Sequence, residues 1–156
     1  MPMNFPFHKQ ETKYTCGAAA MRMALEFFGF KKSEKEVVKI IGSSPNHGTW
    51  FKDFSKAAKK FKLNYVEKEN GKISELKQLI REGYKIIVCY LDLKEKTYGV
   101  VVDHYTVVNK IDDKNIYFFD PCYGNKHKYA INYFKKIWKS RKRPDKADGW
   151  FIAVKK

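Results

Sequence analysis

After Gly83 the apolar spacing of this chain changes, and that change restricts the fold more than any other feature. Upstream, apolar residues recur every three or four positions, the period of helices; downstream they form short β-branched and aromatic runs bounded by turn residues, the pattern of strands. Four helices are predicted before the change. The first runs from Cys16 to Phe28, apolar nearly all round, with Arg22 and Glu26 as an i,i+4 polar pair and Gly29 as its stop. A helix of that kind is buried in the middle of a domain. The second spans Ser33 to about Ile41, opened by a capping box of Ser33 and Glu36 and closed by Gly42. The third covers roughly Thr49 to Phe61, with Trp50, Phe51, Phe54, Ala57, Ala58 and Phe61 at helical spacing, and the fourth runs from Ser74 to near Gly83.

Beyond Gly83, Lys85–Leu91, Gly99–Ile111 and Asn115–Asp120 read as strands, and Asp112-Asp113-Lys114-Asn115 as a hairpin turn. A short helix from about Asn132 to Lys139 and a last strand, Trp150–Val154, complete the pattern. Helices first and an antiparallel sheet second make an α+β fold rather than alternating βαβ units. No linker separates the parts. The expectation is one domain over residues 1–156, with a helical lobe at about 1–83 and a sheet lobe at about 84–156.

The length of 156 residues suits one domain, since a chain of this size buries about 70% of its unfolded surface without disulfides or metal. At 44% hydrophobic and 16% aromatic residues the chain is not disordered. The first ten residues lack the apolar core of a secretory signal, and no run approaches the ~20 apolar residues that cross a bilayer. Cys16, Cys89 and Cys122 are odd in number and widely scattered, which argues against a disulfide framework and for a reducing, cytoplasmic compartment. With 32 Lys and Arg against 17 Asp and Glu the net charge is +15. The lysines are spread singly or in pairs, as on a solvated surface. The densest run, Lys139–Lys146, could meet an acidic partner, but no nucleic-acid-binding signature accompanies it.

One set of residues carries chemistry. Cys16 stands in the first turn of the buried helix, where free N–H groups and the positive end of the dipole favour a thiolate. Its other reading is a small apolar core residue. Gly17 and three alanines keep bulk away from the sulfur. His8, His47 and His127 read most simply as surface residues. His104 interrupts an apolar strand and shares a face with Val102, Thr106 and Val108, so it is either a hydrogen-bonded core histidine or a placed base. Asp103 points the other way. Asp120 ends the next strand, held extended by Pro121. A turn centred near 113.5 leaves His104 and Asp120 about three residues out of register, too far for direct contact at ~3.3 Å per residue unless a bulge closes the gap. The oxyanion of an acyl-transfer intermediate needs donors, and the Cys16 N–H and the Gln10 side-chain amide are candidates.

The string Gln10-Glu-Thr-Lys-Tyr-Thr-Cys16-Gly-Ala-Ala-Ala, then Asp-His104-Tyr-Thr-Val-Val, then Phe-Asp120-Pro121, resembles the bacteriocin-processing peptidases. These are papain-like cysteine peptidases that cleave leader peptides after a double glycine. The likeness is strongest over residues 10–29 and 99–124, and Gly48-Thr49 leading into a helix with Ala57-Ala58 also fits. The resemblance implies a papain-like fold, a central Cys-bearing helix on an antiparallel sheet, and no cofactor or metal. It implies Cys16 as nucleophile, His104 as general base and then acid, Asp120 as its orienter and Gln10 as oxyanion donor, acting on a peptide or protein substrate. Many members carry an acidic residue just before the cysteine; here it is Thr15. Members that export their product continue into a membrane domain and an ATPase, so a sequence ending at Lys156 reads as a stand-alone peptidase.

Three other readings remain open on the residues. One is a peptide-binding domain of the same fold without turnover, and another a basic nucleic-acid-binding domain. The third is a metal site from Cys16, His104, Asp120 and Cys122, which no paired-ligand spacing supports. Oligomeric state is not encoded in any of these features.

Overall fold

The computed structural model describes residues 4–93, 102–141 and 144–156. Gly99–Val101, expected to open a strand, and Lys142–Arg143 of the basic run lie outside the described residues. In chain order the elements are α1 (Cys16–Phe27), α2 (Glu34–Ile41), α3 (Phe51–Lys60), β1 (Asn64–Lys68), α4 (Ile73–Arg81), β2 (Lys85–Asp92), β3 (Val102–Ile111), β4 (Asn115–Asp120), β5 (Gly124–Ala130), α5 (Ile131–Ile137), β6 (Lys139–Ser140), β7 (Ala147–Asp148) and β8 (Phe151–Lys155). Six strands form one sheet in the order β1-β8-β2-β3-β4-β5, every neighbouring pair antiparallel, and β6 pairs with β7 apart from it.

The two faces of this sheet bury different cores, as alternation along each strand requires. Ile87, Cys89, Tyr105, Val107, Ile152 and Val154 face α1, α2 and α3. Ile86, Val88, Tyr90, Val108, Phe118 and Phe151 face the opposite way, toward α4 and α5. The expected Cys-bearing helix is the central one. Ala18, Ala19, Ala20, Met21, Met23, Ala24 and Leu25 of α1 are fully buried, and each large side chain among them contributes about 1.5–3 kcal/mol by leaving water. The capping box of Ser33 and Glu36 forms, and Gly42 closes α2 in the left-handed conformation at φ 68°.

The structure departs from the sequence reading at four places. Strand β1 falls in a stretch with no strand pattern, because it is an edge strand with all five residues exposed and no alternation to read. Strand β5, where the sequence reading has no element, is the other edge of the sheet, and Tyr129 is its buried residue. Helix α4 packs with α5 on the sheet face turned away from α1. Arg22 and Glu26, expected to pair with each other, instead tie down the N-terminal segment: Arg22 meets Glu11 at 3.3 Å and Glu26 meets His8 at 3.2 Å. Among the described residues no helix is long and apolar enough to cross a membrane.

Candidate active site

Cys16 is the first residue of α1 and half-buried, so its sulfur lies where the helix leaves its leading N–H groups unpaired. Close packing places that helix start. A Cβ added at Gly17 would lie 2.8 Å from Thr49 Oγ1 and 3.0 Å from Phe54, so glycine lets α1 press against the segment leading into α3. Thr49 is fixed in turn: its carbonyl accepts from the Tyr105 hydroxyl at 2.7 Å, and its hydroxyl bonds Ser43 at 2.7 Å.

His104 lies on β3 opposite Tyr90 of β2 and is 4% exposed. The register gap to Asp120 closes by a bulge. Strands β3 and β4 pair Lys110 with Tyr117 but Val108 with Phe118, so Asn109 is an extra residue on β3. Extending the Val107–Phe119 pairing by one residue along each strand sets Thr106 level with Asp120. His104 is thereby two residues from Asp120 across the ladder instead of three, on the same face rather than the other. Nε2 of His104 donates to Asp120 Oδ1 at 2.8 Å.

With Nε2 so engaged, Nδ1 is the ring nitrogen left, and Cys16 shares the cleft lining with His104 and acts on its ring. Burial favours the neutral imidazole, but the Asp120 carboxylate and Cys16 outweigh it and hold the His104 pKa well above the ordinary value. Asp120 is fully buried. Burial alone would raise its pKa; His104 and the N–H groups of Tyr123 and Cys122 bring it down to about 2.

The carboxylate has partners that the sequence reading missed. Oδ1 also accepts the backbone N–H of Cys122 at 2.9 Å and of Tyr123 at 3.0 Å, and Oδ2 accepts the Tyr90 hydroxyl at 2.9 Å. Signals for both existed. An Asp that starts a turn bonds the N–H groups two and three residues on, and a tyrosine inside a fully apolar strand must find a partner for its hydroxyl.

Gln10 reaches the same place from the N-terminal segment. Its backbone N–H donates to the Pro121 carbonyl at 3.0 Å, joining the segment before Cys16 to the residue after Asp120. Its side-chain Nε2 donates to Thr12 O at 2.9 Å and Lys13 O at 3.4 Å, while Oε1 is buried with no hydrogen-bond partner among the described residues. A cleft of about 470 Å³ runs over these groups, with Gln10, Cys16, Gly48, Thr49 and His104 in its lining.

The other histidines are not plain surface residues. His8 is half-buried against Glu26, His47 stacks on Trp50 in the cleft wall, and His127 stacks on Tyr123. Asp103 points away from His104, as expected, and accepts from Ser140 Oγ at 2.6 Å and the Arg141 N–H at 3.1 Å. Among the described residues, no three His, Cys, Asp or Glu side chains are grouped to hold a metal ion.

The structure is similar to three solved proteins. A C39-like peptidase from Bacillus anthracis superposes with a TM-score of 0.74 at 16% identity, covering 98% of this chain and 95% of that one. The peptidase domain of Streptococcus ComA, a bifunctional ABC transporter of a quorum-sensing pathway, gives 0.73 at 18% identity over 97% and 98%. A double-glycine motif protease from an AMS/PCAT transporter, in complex with its leader peptide, gives 0.70 at 19% identity over 97% and 91%. No curated protein matches the chain. The family profile that fits covers residues 4–141, which include Gln10, Cys16, His104 and Asp120, and by that match the chain belongs to the peptidase C39 family.

Proposed function

We propose that this protein is a cysteine peptidase in which Cys16 is the nucleophile, His104 the general base and then acid, and Asp120 the residue that orients His104. The observation that carries the proposal is the buried imidazole held by the Asp120 carboxylate at 2.8 Å, in the lining of an open cleft that Cys16 shares. That is the arrangement an acyl-transfer nucleophile needs. The Cys16 proton passes to His104, and the sulfur adds to a peptide carbonyl carbon. The resulting oxyanion takes hydrogen bonds from the Cys16 N–H and, once its amide turns from Thr12 O toward the cleft, from Gln10. The imidazolium gives its proton to the leaving amine as the C–N bond breaks, leaving a thioester. A water molecule, deprotonated by His104, attacks that thioester; the C–S bond breaks and the proton returns to sulfur.

The substrate we propose is a leader peptide cut after Gly-Gly, in line with the family and with the leader peptide bound by one structural neighbour. The three cysteines, odd in number and widely scattered, agree with a reducing, cytoplasmic setting. A peptide-binding domain without turnover is favoured by one observation, the engagement of Gln10 Nε2 by its own loop.

Two measurements separate these readings. Iodoacetamide should label Cys16 faster than Cys89 and Cys122 if His104 activates the thiol. A peptide library containing Gly-Gly sites should be cut at those sites. Selective labelling without cleavage of any peptide would favour the binding domain, and equal labelling of the three thiols would remove the nucleophile assignment.

A further inference from the structure

Glu34 is a buried carboxylate that the proposed chemistry does not use. An acid in the first turn of a helix ordinarily faces water, where the dipole favours it at little cost. Glu34 instead turns inward and is 3% exposed. Both of its oxygens accept the backbone N–H of Glu11, at 3.1 and 3.2 Å. Thr15 is 1% exposed, and its hydroxyl accepts the Thr12 N–H at 3.1 Å. Burial pushes the Glu34 pKa up, against the hydrogen bond from Glu11 and the nearby charge of Arg22. A buried carboxylate survives when its oxygens are satisfied, and here both accept from the N–H at the start of one short loop.

That loop has Gln10 just before Glu11 and Cys16 just after Thr15. We propose that Glu34 is a positioning residue: from the start of α2 it clamps the loop at Glu11 and so fixes where the Gln10 amide stands relative to the Cys16 sulfur. The inference rests on the oxyanion role proposed above for Gln10. A clamp of this kind acts in the transition state, where a displaced donor slows the chemical step without weakening substrate binding. Glu34→Gln keeps an acceptor for the Glu11 N–H, whereas Glu34→Ala keeps none. Thr15→Val removes the hydroxyl that closes the same loop on Thr12.

The experiment compares wild type, Glu34→Ala, Glu34→Gln and Thr15→Val on a Gly-Gly peptide, with amide hydrogen exchange followed over residues 10–16. In Glu34→Ala kcat should fall at least about tenfold with KM within about twofold, and the Glu11 amide should lose protection. Thr15→Val should move kcat the same way, and Glu34→Gln should restore most of both readouts. Iodoacetamide labelling of Cys16 should stay within about twofold throughout, because the thiol and His104 are untouched. Unchanged exchange in Glu34→Ala, or a loss of kcat that Glu34→Gln does not recover, would overturn the clamp. Absence of turnover in wild type would instead overturn the peptidase reading, and the exchange comparison would still decide whether Glu34 holds the loop.

Discussion

His104 and Asp120 sit on strands in the interior and Cys16 opens the buried helix α1, whereas Gln10 sits on a segment held by scattered polar contacts and by Phe5 and Phe7 against the core. Every hydrogen bond to the Asp120 carboxylate comes from β2, β3 or the turn after β4, and both residues of the pair are buried. The other half hangs on Glu34, on the His8–Glu26 and Arg22–Glu11 pairs, and on one backbone bond from Gln10 to Pro121. Packing in a low-dielectric interior leaves the first half one geometry. Polar contacts near solvent are individually modest and are lost at little cost. The contrast teaches that a perturbation in the sheet should change the chemistry of the imidazole, while one in the N-terminal segment should change only its aim.

The largest expected effect lies at the junction of the halves. Cys16→Ala should lower peptide hydrolysis by roughly 10⁴-fold or more. Its melting temperature should stay near that of wild type, because the sulfur is half-buried and the alanine continues the helix. Activity surviving in that variant would misassign the nucleophile.

Next comes Asp120→Asn, which sharpens the contrast from the sheet side. It should cost on the order of 10²–10⁴ in kcat and move the alkaline limb of the pH profile to lower pH. The sign follows from the imidazolium: Asp120 raises the His104 pKa, so removing the charge lets the proton leave earlier. Stability from the raised His104 pKa is fully present below about 6.5 and fades as pH rises through the folded value. Stability from Asp120, whose pKa is depressed to about 2, is present above about 3.9 and fades as pH falls through that lower value. An alkaline limb that stays put in Asp120→Asn would break the assignment of His104 as the titrating partner.

Gly17→Ala tests the seat of α1. The added methyl meets Thr49 and Phe54 at 2.8–3.0 Å, so the variant should lose about 1–3 kcal/mol of stability and turn over more slowly; denaturant unfolding and kcat measure the two. The smallest effect should come from Tyr90→Phe. It removes one donor from Asp120 Oδ2, costs about 1–3 kcal/mol, and should lower kcat less than tenfold with KM unchanged. A Tyr90→Phe effect as large as that of Asp120→Asn would mean that the carboxylate is far less secure than its other three donors imply.

Much of this was legible in the residues, and the gaps share a cause. Helix α1 was readable because its apolar run, its start at Cys16 and its stop at Gly29 all agree, and local agreement of that kind is what specifies a fold. Helix α2 was readable from its caps. Strand β1 was not, because an exposed edge strand leaves no burial pattern in Asn64–Lys68. For the site, the side chains that carry chemistry stood out as polar interruptions of apolar runs. Their supports did not: Tyr90 looks like one more strand residue, and Glu34 looks like an ordinary acid at a helix start. What makes each of them matter is a partner far away in sequence, Asp120 for one and Glu11 for the other. The contact of His104 with Asp120 was likewise hidden, since one extra residue in the hairpin decides it.

That extra residue, Asn109, limits how the β3–β4 hairpin can change length. Deleting it, or inserting a single residue between it and Asp120, would exchange inside for outside on one strand and send histidine and aspartate to opposite layers, although every residue of the site would still be spelled out. Changes made two residues at a time would leave them together. Drift or engineering in this arm of the protein is therefore confined to even steps, and a relative whose hairpin differs by an odd count should carry a compensating irregularity elsewhere on the same pair of strands.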